Sequence, residues 1–119
     1  MSIDAIDLDN QITAWAEAQF PRPNRDINPV LAHLRREWNE FHAAVSEWSL
    51  SRLRGENDPA VREHMFQEAA DIRILLTHFV GRLGGNLASE TIRKFRDNQT
   101  REWGEPDEDG VVEHIREEI

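Results

Sequence analysis

The 119-residue sequence contains no cysteine, which removes disulfides and every thiolate metal site. It has no apolar run long enough to cross a bilayer, and no apolar stretch near its start. Neither a membrane span nor a signal peptide is therefore expected, and a cytoplasmic location is compatible with the missing cysteines. Basic residues are scarce: 14 Lys+Arg face 23 Asp+Glu, for a net charge of -9. Contact with a nucleic-acid backbone normally needs a basic patch, so no nucleic-acid partner is expected. Net acidity also serves solubility alone. An acidic chain can still hold a polyphosphate where divalent cations bridge the two anions. No Gly-rich phosphate loop of the Walker type is present, and no Ser/His/Asp or Cys/His arrangement can be singled out. β-strand signals are nearly absent, as are internal repeats and low-complexity segments. The length suits one domain, residues 1–119, with a modest core.

What remains is helical. Ile12, Trp15, Ala16 and Phe20 mark a short stripe over Asp9 to Gln19. The segment PRPNRDINP stops it. Asn28-Pro29 then reads as a helix start, with Asn as N-cap and Pro in the first turn. The second helix runs from Pro29 to Arg54. Its residues Leu31, Leu34, Trp38, Phe41, Val45 and Trp48 are spaced 3, 4, 3, 4, 3, a heptad-like seam for a partner helix. Trp38 and Trp48 fit that seam and read as core. Asp58-Pro59 repeats the start signal. The third helix runs to Leu83, with a stripe of Val61, Met65, Ile72, Leu75/Leu76, Phe79 and Leu83. The short turn between these helices makes them antiparallel neighbours. Asn86 or Ser89 caps a fourth helix over Ala88 to Arg101. A last short helix is expected from Val111. The class is all-α, a bundle of four to five helices whose four-helix packing is completed by oligomerisation.

Two acidic pairs stand out. Glu37-x-x-Glu40 and Glu68-x-x-Asp71 each place two carboxylates on one helix face. Acid-x-x-acid spacing occurs five times in the chain, so spacing alone is compatible with solvated faces. Position separates these two pairs from the rest. Glu68 fills the seam position between Met65 and Ile72, where an unpartnered charge costs several kcal/mol. Glu37 abuts the other seam. Four carboxylates drawn together repel, and divalent cations remove that penalty. Oxygen-only ligands suit Mg2+ or Mn2+ rather than zinc. The rival structural reading is a buried salt bridge of Glu68 with Arg35 or Arg36. His33 and His64 each lie one turn before an inner acid; they read as supports of those acids or as surface histidines, and His42 and His78 as surface or core-edge residues. Trp15 and Trp103 remain free to stack on a base.

The segment QEAADIRILLTHFVGRLG, together with Glu37-x-x-Glu40, resembles the MazG-like nucleotide pyrophosphohydrolases of the all-α NTP pyrophosphatase superfamily. Their motif is E-x-x-E on one helix and E-x-x-D on the next, and the 27 residues between Glu40 and Glu68 fall within the family's spacing. Downstream, KFRDNQTREWG is similar to the family's K-x-x-x-N-x-x-R-x-W segment, which gives Lys94, Asn98, Arg101 and Trp103. The tail WGEPDEDGVVEHI resembles members, some from phage, assigned to purine dNTPs. Trp38, Asn39 and Arg73 depart from the pattern, where small or aliphatic residues are usual.

The resemblance implies hydrolysis between the α- and β-phosphates of a (d)NTP, giving a monophosphate and pyrophosphate. It implies Glu37, Glu40, Glu68 and Asp71 as catalytic and metal-holding residues around two or three Mg2+, with Mn2+ as a substitute. Lys94 and Arg101 would meet phosphate oxygens, Asn98 phosphate or sugar, with Trp103 beside the substrate. A purine such as dGTP, GTP or dATP is the expected base. A homo-oligomer, a tetramer built as a dimer of dimers, is expected because two helices of this length need partners on both sides. Two rivals remain. Phosphoribosyl-ATP pyrophosphatase carries a related pair of acidic motifs but lacks the K/N/R/W segment. A non-enzymatic helical interaction module would use the acids as salt-bridge partners.

Overall fold

The computed structural model describes residues 4–20 and 26–116. Part of the proline-containing loop, residues 21–25, lies outside the described residues. Short acidic and amide side chains start the helices. α1 (Ala5–Gln19) follows Asp4, whose carboxylate accepts the Asp7 N–H at 2.8 Å. It therefore begins four residues before the expected Asp9. α2 (Asn28–Leu53) corrects the cap assignment. Asn28 is inside the helix, Ile27 holds the cap position without a side-chain bond, and the Asn28 N–H donates to the Asp26 carboxylate at 3.0 Å. α3 (Pro59–Arg82) is capped as expected by Asp58, which accepts from Ala60 N–H at 2.9 Å. α4 (Leu87–Thr100) is capped by Asn86 rather than Ser89, through Oδ1 and the Ser89 N–H at 3.0 Å. These bonds satisfy amides that a helix start leaves unpaired.

The described residues contain four α-helices and no strand, so the fold is all-α. The helix expected from Val111 does not form. The Asp107 carboxylate takes the N–H groups of Asp109 and Val111 into a turn, each at 2.9 Å, and Gly110 turns there at φ 78. The tail folds back until Trp103 and His114 form an isolated antiparallel bridge. Local side-chain bonding of this kind competes directly with helix formation.

α3 is the hub. It packs on α1, α2 and α4, whereas α2 packs on α3 alone. A five-residue connection, 54–58, reverses the chain between α2 and α3, with Gly55 at φ 74. Such a reversal makes the two long helices antiparallel. α1 approaches α3 at Gly81, where any Cβ would collide with the Thr13 side chain. Two buried ionic clusters fix α1 in place. Asp9, 1% exposed, accepts from Arg73 Nη1 at 2.9 Å through Oδ1 and from the Ala88 N–H at 2.7 Å through Oδ2. One carboxylate thus joins α1, α3 and the start of α4, and explains the arginine at position 73. Arg82, 3% exposed, donates to both Glu17 carboxylate oxygens and to the carbonyls of Phe20 and Asp26.

The apolar core is thin. Among the described residues only Ala16, Val30, Ala44, Leu75 and Ala88 are fully buried hydrophobics. The α2 seam is half-covered, and Trp38 is 52% exposed, so its reading as core is corrected. Trp48 is half-buried, with the Arg52 guanidinium 5.3 Å from its ring centre. The cause is that α2 has one helical partner. The radius of gyration, 17.8 Å, exceeds the roughly 13–14 Å of a compact domain of this length.

Asp9→Ala should destabilise the fold by about 2–4 kcal/mol, because it orphans the buried Ala88 N–H and releases Arg73. Equilibrium urea denaturation measures this; a loss below about 0.5 kcal/mol would remove Asp9 from its organising role.

Candidate metal and nucleotide site

The α2–α3 hairpin decides which acids meet. Counting from Arg54, Glu37 and Asp71 stand 17 residues to either side, and Glu40 and Glu68 stand 14 to either side. In an antiparallel pair each acid of α2 therefore faces one of α3. Carboxylate oxygens of Glu37, Glu40 and Glu68 lie within 4.8 Å of one another. Asp71 is close enough to bear electrostatically on Glu37 and lines a cavity with it. The inner acids are the covered ones: the side chains of Glu37 and Glu68 are each 15% exposed. Glu40 and Asp71 are exposed.

This crowding has an electrostatic signature. The Glu37 carboxyl is pushed up from its ordinary value, first by burial, then by a hydrogen bond with Glu40, and then by the charges of Glu40, Asp71 and Glu68. Folding thus favours protonated Glu37. The stability this lends is present at low pH and is lost as pH rises through the raised pKa. A second signature is unspent acceptor capacity. Glu37 Oε2 and Glu68 Oε2 are buried without a hydrogen-bond partner. Buried polar atoms are nearly always paired, so two orphaned oxygens in one cluster point to an absent cation.

The other oxygen of each inner acid is held by a histidine one turn earlier. His33 Nε2 lies 3.3 Å from Glu37 Oε1, and His64 Nε2 lies 3.4 Å from Glu68 Oε1. The two helices carry matching sets, His33, Glu37 and Glu40 against His64, Glu68 and Asp71. The expected supporting role of these histidines fits this geometry. Among the described residues Glu68 makes no salt bridge with Arg35 or Arg36, so the rival ion-pair reading has no contact behind it. The donor set is all oxygen, negatively charged and partly unsatisfied, which fits a hard divalent cation.

The four residues of the K/N/R/W segment stand elsewhere. Lys94 and Asn98 line an open cavity of about 490 Å³ along α4, with Leu87 and Phe95. Arg101 Nη1 donates to Asn98 Oδ1 at 3.2 Å, and Trp103 Nε1 donates to the Asn98 carbonyl at 3.0 Å. Trp103 also meets His114 edge-on, with ring centres 6.0 Å apart. Asn98 is thus the knot of a compact motif. α4 packs on α1 and α3 and not on α2. Among the described residues no hydrogen bond or ion pair joins this motif to the four acids.

Sequence reasoning did not single out a cleft on the α1 side of the acids. A cavity of about 210 Å³ is lined by Trp15, Phe20, His33 and His78 together with Glu37 and Asp71. His78 is 3% exposed. Its pKa is lowered, first by burial and then by the Arg82 charge, against an opposing pull from Glu17. The available signal was position: His33 and Leu75 each stand 21 residues from Arg54, so they face one another next to the acids.

No protein-family model matches the chain, and no curated protein matches it. Among solved structures it is similar to a MazG-like pyrophosphohydrolase of cyanophage S-2L, solved bound to dGDP and three catalytic Mn2+ ions per active site. The two chains superpose with a TM-score of 0.63 over 99% of each, at 23% identity. The likeness is one of architecture along the whole chain: the fold is the all-α fold of that MazG-like enzyme.

Proposed function

We propose that this chain is a divalent-metal-dependent nucleoside triphosphate pyrophosphohydrolase, converting a (d)NTP to the (d)NMP and pyrophosphate. The observation that carries the reading is the convergence of Glu37, Glu40 and Glu68, with orphaned inner oxygens, on a MazG-like helical hairpin. Glu37, Glu40, Glu68 and Asp71 hold two or three Mg2+, for which Mn2+ substitutes. The ions supply neutralisation of phosphate charge, which is most of what phosphoryl-type displacement requires. The protein's own work is placement. His33 and His64 hold Oε1 of the inner acids, leaving each Oε2 aimed into the cluster. A water in line with the α-phosphorus attacks, the bond to the β-phosphate bridge breaks, and pyrophosphate leaves. One of the clustered carboxylates accepts the water's proton. A purine substrate, dGTP or GTP before dATP, is favoured by the tail sequence and by the dGDP bound in the phage neighbour.

Lys94, Asn98, Arg101 and Trp103 serve the phosphates and sugar, and reach the acids across a contact between copies of the chain. The open face of the α2–α3 hairpin supports such a contact: Leu34, Trp38, Ile72 and Leu76 line an apolar groove of about 550 Å³. A tetramer, a dimer of dimers, covers these faces.

Three measurements test this reading. Pyrophosphate release from the eight common NTPs and dNTPs, with Mg2+, should be fastest for a purine substrate; dUTP or dCTP as best substrate would refute the base assignment. Glu68→Gln should melt at or above the wild type in EDTA, since one of the repelling acids becomes neutral. It should lose Mn2+-dependent stabilisation and orders of magnitude in activity. A mutant melting far lower in EDTA with wild-type pyrophosphate release would make Glu68 a structural ion-pair residue instead. Mixing inactive Glu68→Gln with inactive Lys94→Ala/Arg101→Ala chains should restore part of the activity, because some sites then draw intact acids and intact cations from different copies. No recovery after subunit exchange would place each site within one chain.

A further inference from the structure

α1 and α2 both lie against α3, yet they do not pack on each other. The gap between them is the cleft beside the acids. At one end it is walled by Glu37 and Asp71. Its side on α1 carries Trp15 and Phe20, which are 55% and 52% exposed. Large aromatics left half in water beside a charged cluster bury little of the area that normally stabilises them. Their rings meet at 88° with centres 6.1 Å apart, so they form a corner, one ring face-on where the other is edge-on. Leu75 and His78 lie in α3 at the back of the cleft and are buried.

His78 is the exceptional group. It is 3% exposed, and Nε2 has no hydrogen-bond partner. Its nearest ionic neighbour, Glu17 Oε1, is 3.8 Å away, beyond hydrogen-bond range. The Glu17 carboxylate is instead engaged by Arg82 at 3.1 and 3.0 Å. The lowered pKa keeps the ring neutral, so Nε2 offers one directional hydrogen bond rather than a charge. Behind His78 the space continues. An adjoining cavity of about 350 Å³ shares Phe20, His33, Leu75 and His78 and reaches Val30 and Arg82. The cleft therefore has an aromatic side, an apolar floor, one unspent polar atom at its back, and depth beyond it. That is the pattern of a small-molecule pocket, in which apolar walls hold and a few placed polar groups orient.

We infer that this α1–α2 cleft seats the purine base of the nucleotide whose phosphates the acids hold, with Trp15 stacked on the ring and His78 Nε2 at its polar edge. The inference rests on the pyrophosphohydrolase reading and adds the place and chemistry of base selection. The two-ring base uses the depth beyond His78, which a one-ring base attached at the same sugar does not reach. Failure to meet the base edge leaves His78 Nε2 buried and unpaired, and unpaired buried groups are what give polar pockets their selectivity.

The test compares two ligands at saturating Mn2+, measured by calorimetry with a non-hydrolysable purine triphosphate analogue and with inorganic triphosphate. Trp15→Ala should weaken the nucleotide analogue about tenfold or more and leave inorganic triphosphate unchanged. Trp15→Phe should restore most of the loss, because stacking returns. His78→Gln should raise KM for purine substrates with kcat retained, and shrink the purine-over-pyrimidine ratio of kcat/KM. His78→Gln melting close to wild type in EDTA would assign that change to recognition. Unchanged nucleotide binding in Trp15→Ala would overturn the base seat while leaving the phosphate site standing. Equal loss for nucleotide and inorganic triphosphate would also overturn it. Wild-type protein that binds neither ligand would overturn the pyrophosphohydrolase reading itself, and the base seat with it.

Discussion

The structure depends on one unfavourable contact. The α2–α3 hairpin brings carboxylates of Glu37, Glu40 and Glu68 within 4.8 Å, beside Asp71. Like charges this close raise one another's pKa and oppose folding. A helix pair selected for stability alone would fill such positions with apolar side chains, because buried ionic groups rarely outperform a well-packed core. The sequence does the reverse in the middle of an otherwise apolar stripe, and leaves two buried oxygens unspent. Local rules broken without compensation inside the chain mark a site completed from outside it.

The rest of the fold protects that arrangement. Little apolar area is buried, so position comes from polar ties. Asp9 fastens α1 to α3 and to the first turn of α4. Arg82 fastens the end of α1 and the start of α2 with four hydrogen bonds. Both ties anchor on α3, the helix that carries Glu68 and Asp71. Thr13 against Gly81 sets how closely α1 lies on α3. These restraints hold α1 against α3 without closing it onto α2, and the cleft beside the acids is what remains. Packing and function are joined here: the same sparseness that leaves Trp38 exposed leaves room for a ligand.

Much of this is legible in the sequence because helices are local objects. Stripes at 3 and 4 spacing and the Asp58-Pro59 and Asn86 caps place the helices within a few residues. The acid pairs are legible as well, since Glu68 interrupts its own stripe. Their mutual register follows from the short turn at Gly55. What the sequence conceals is long-range or cooperative. Asp9 and Arg73 are 64 residues apart, and nothing local says that one will bury the other. The tail reads as a weak helix because Val111, His114 and Ile115 have helical spacing. Asp107 wins by binding two amides in a turn first. Trp38 reads as core because its spacing is right; its exposure follows from α2 having a single partner, which no pattern within α2 reveals. The α1–α2 cleft is a gap rather than a contact, and periodicity describes only contacts.

The central claim is that the acid cluster is a cation site. The most direct test is anomalous diffraction from crystals of the protein grown or soaked with Mn2+. The account predicts two or three manganese peaks between α2 and α3, at coordination distance from oxygens of Glu37, Glu40, Glu68 and Asp71, with Oε2 of both inner acids engaged. An ordered structure at saturating Mn2+ with no peak between these helices would contradict it.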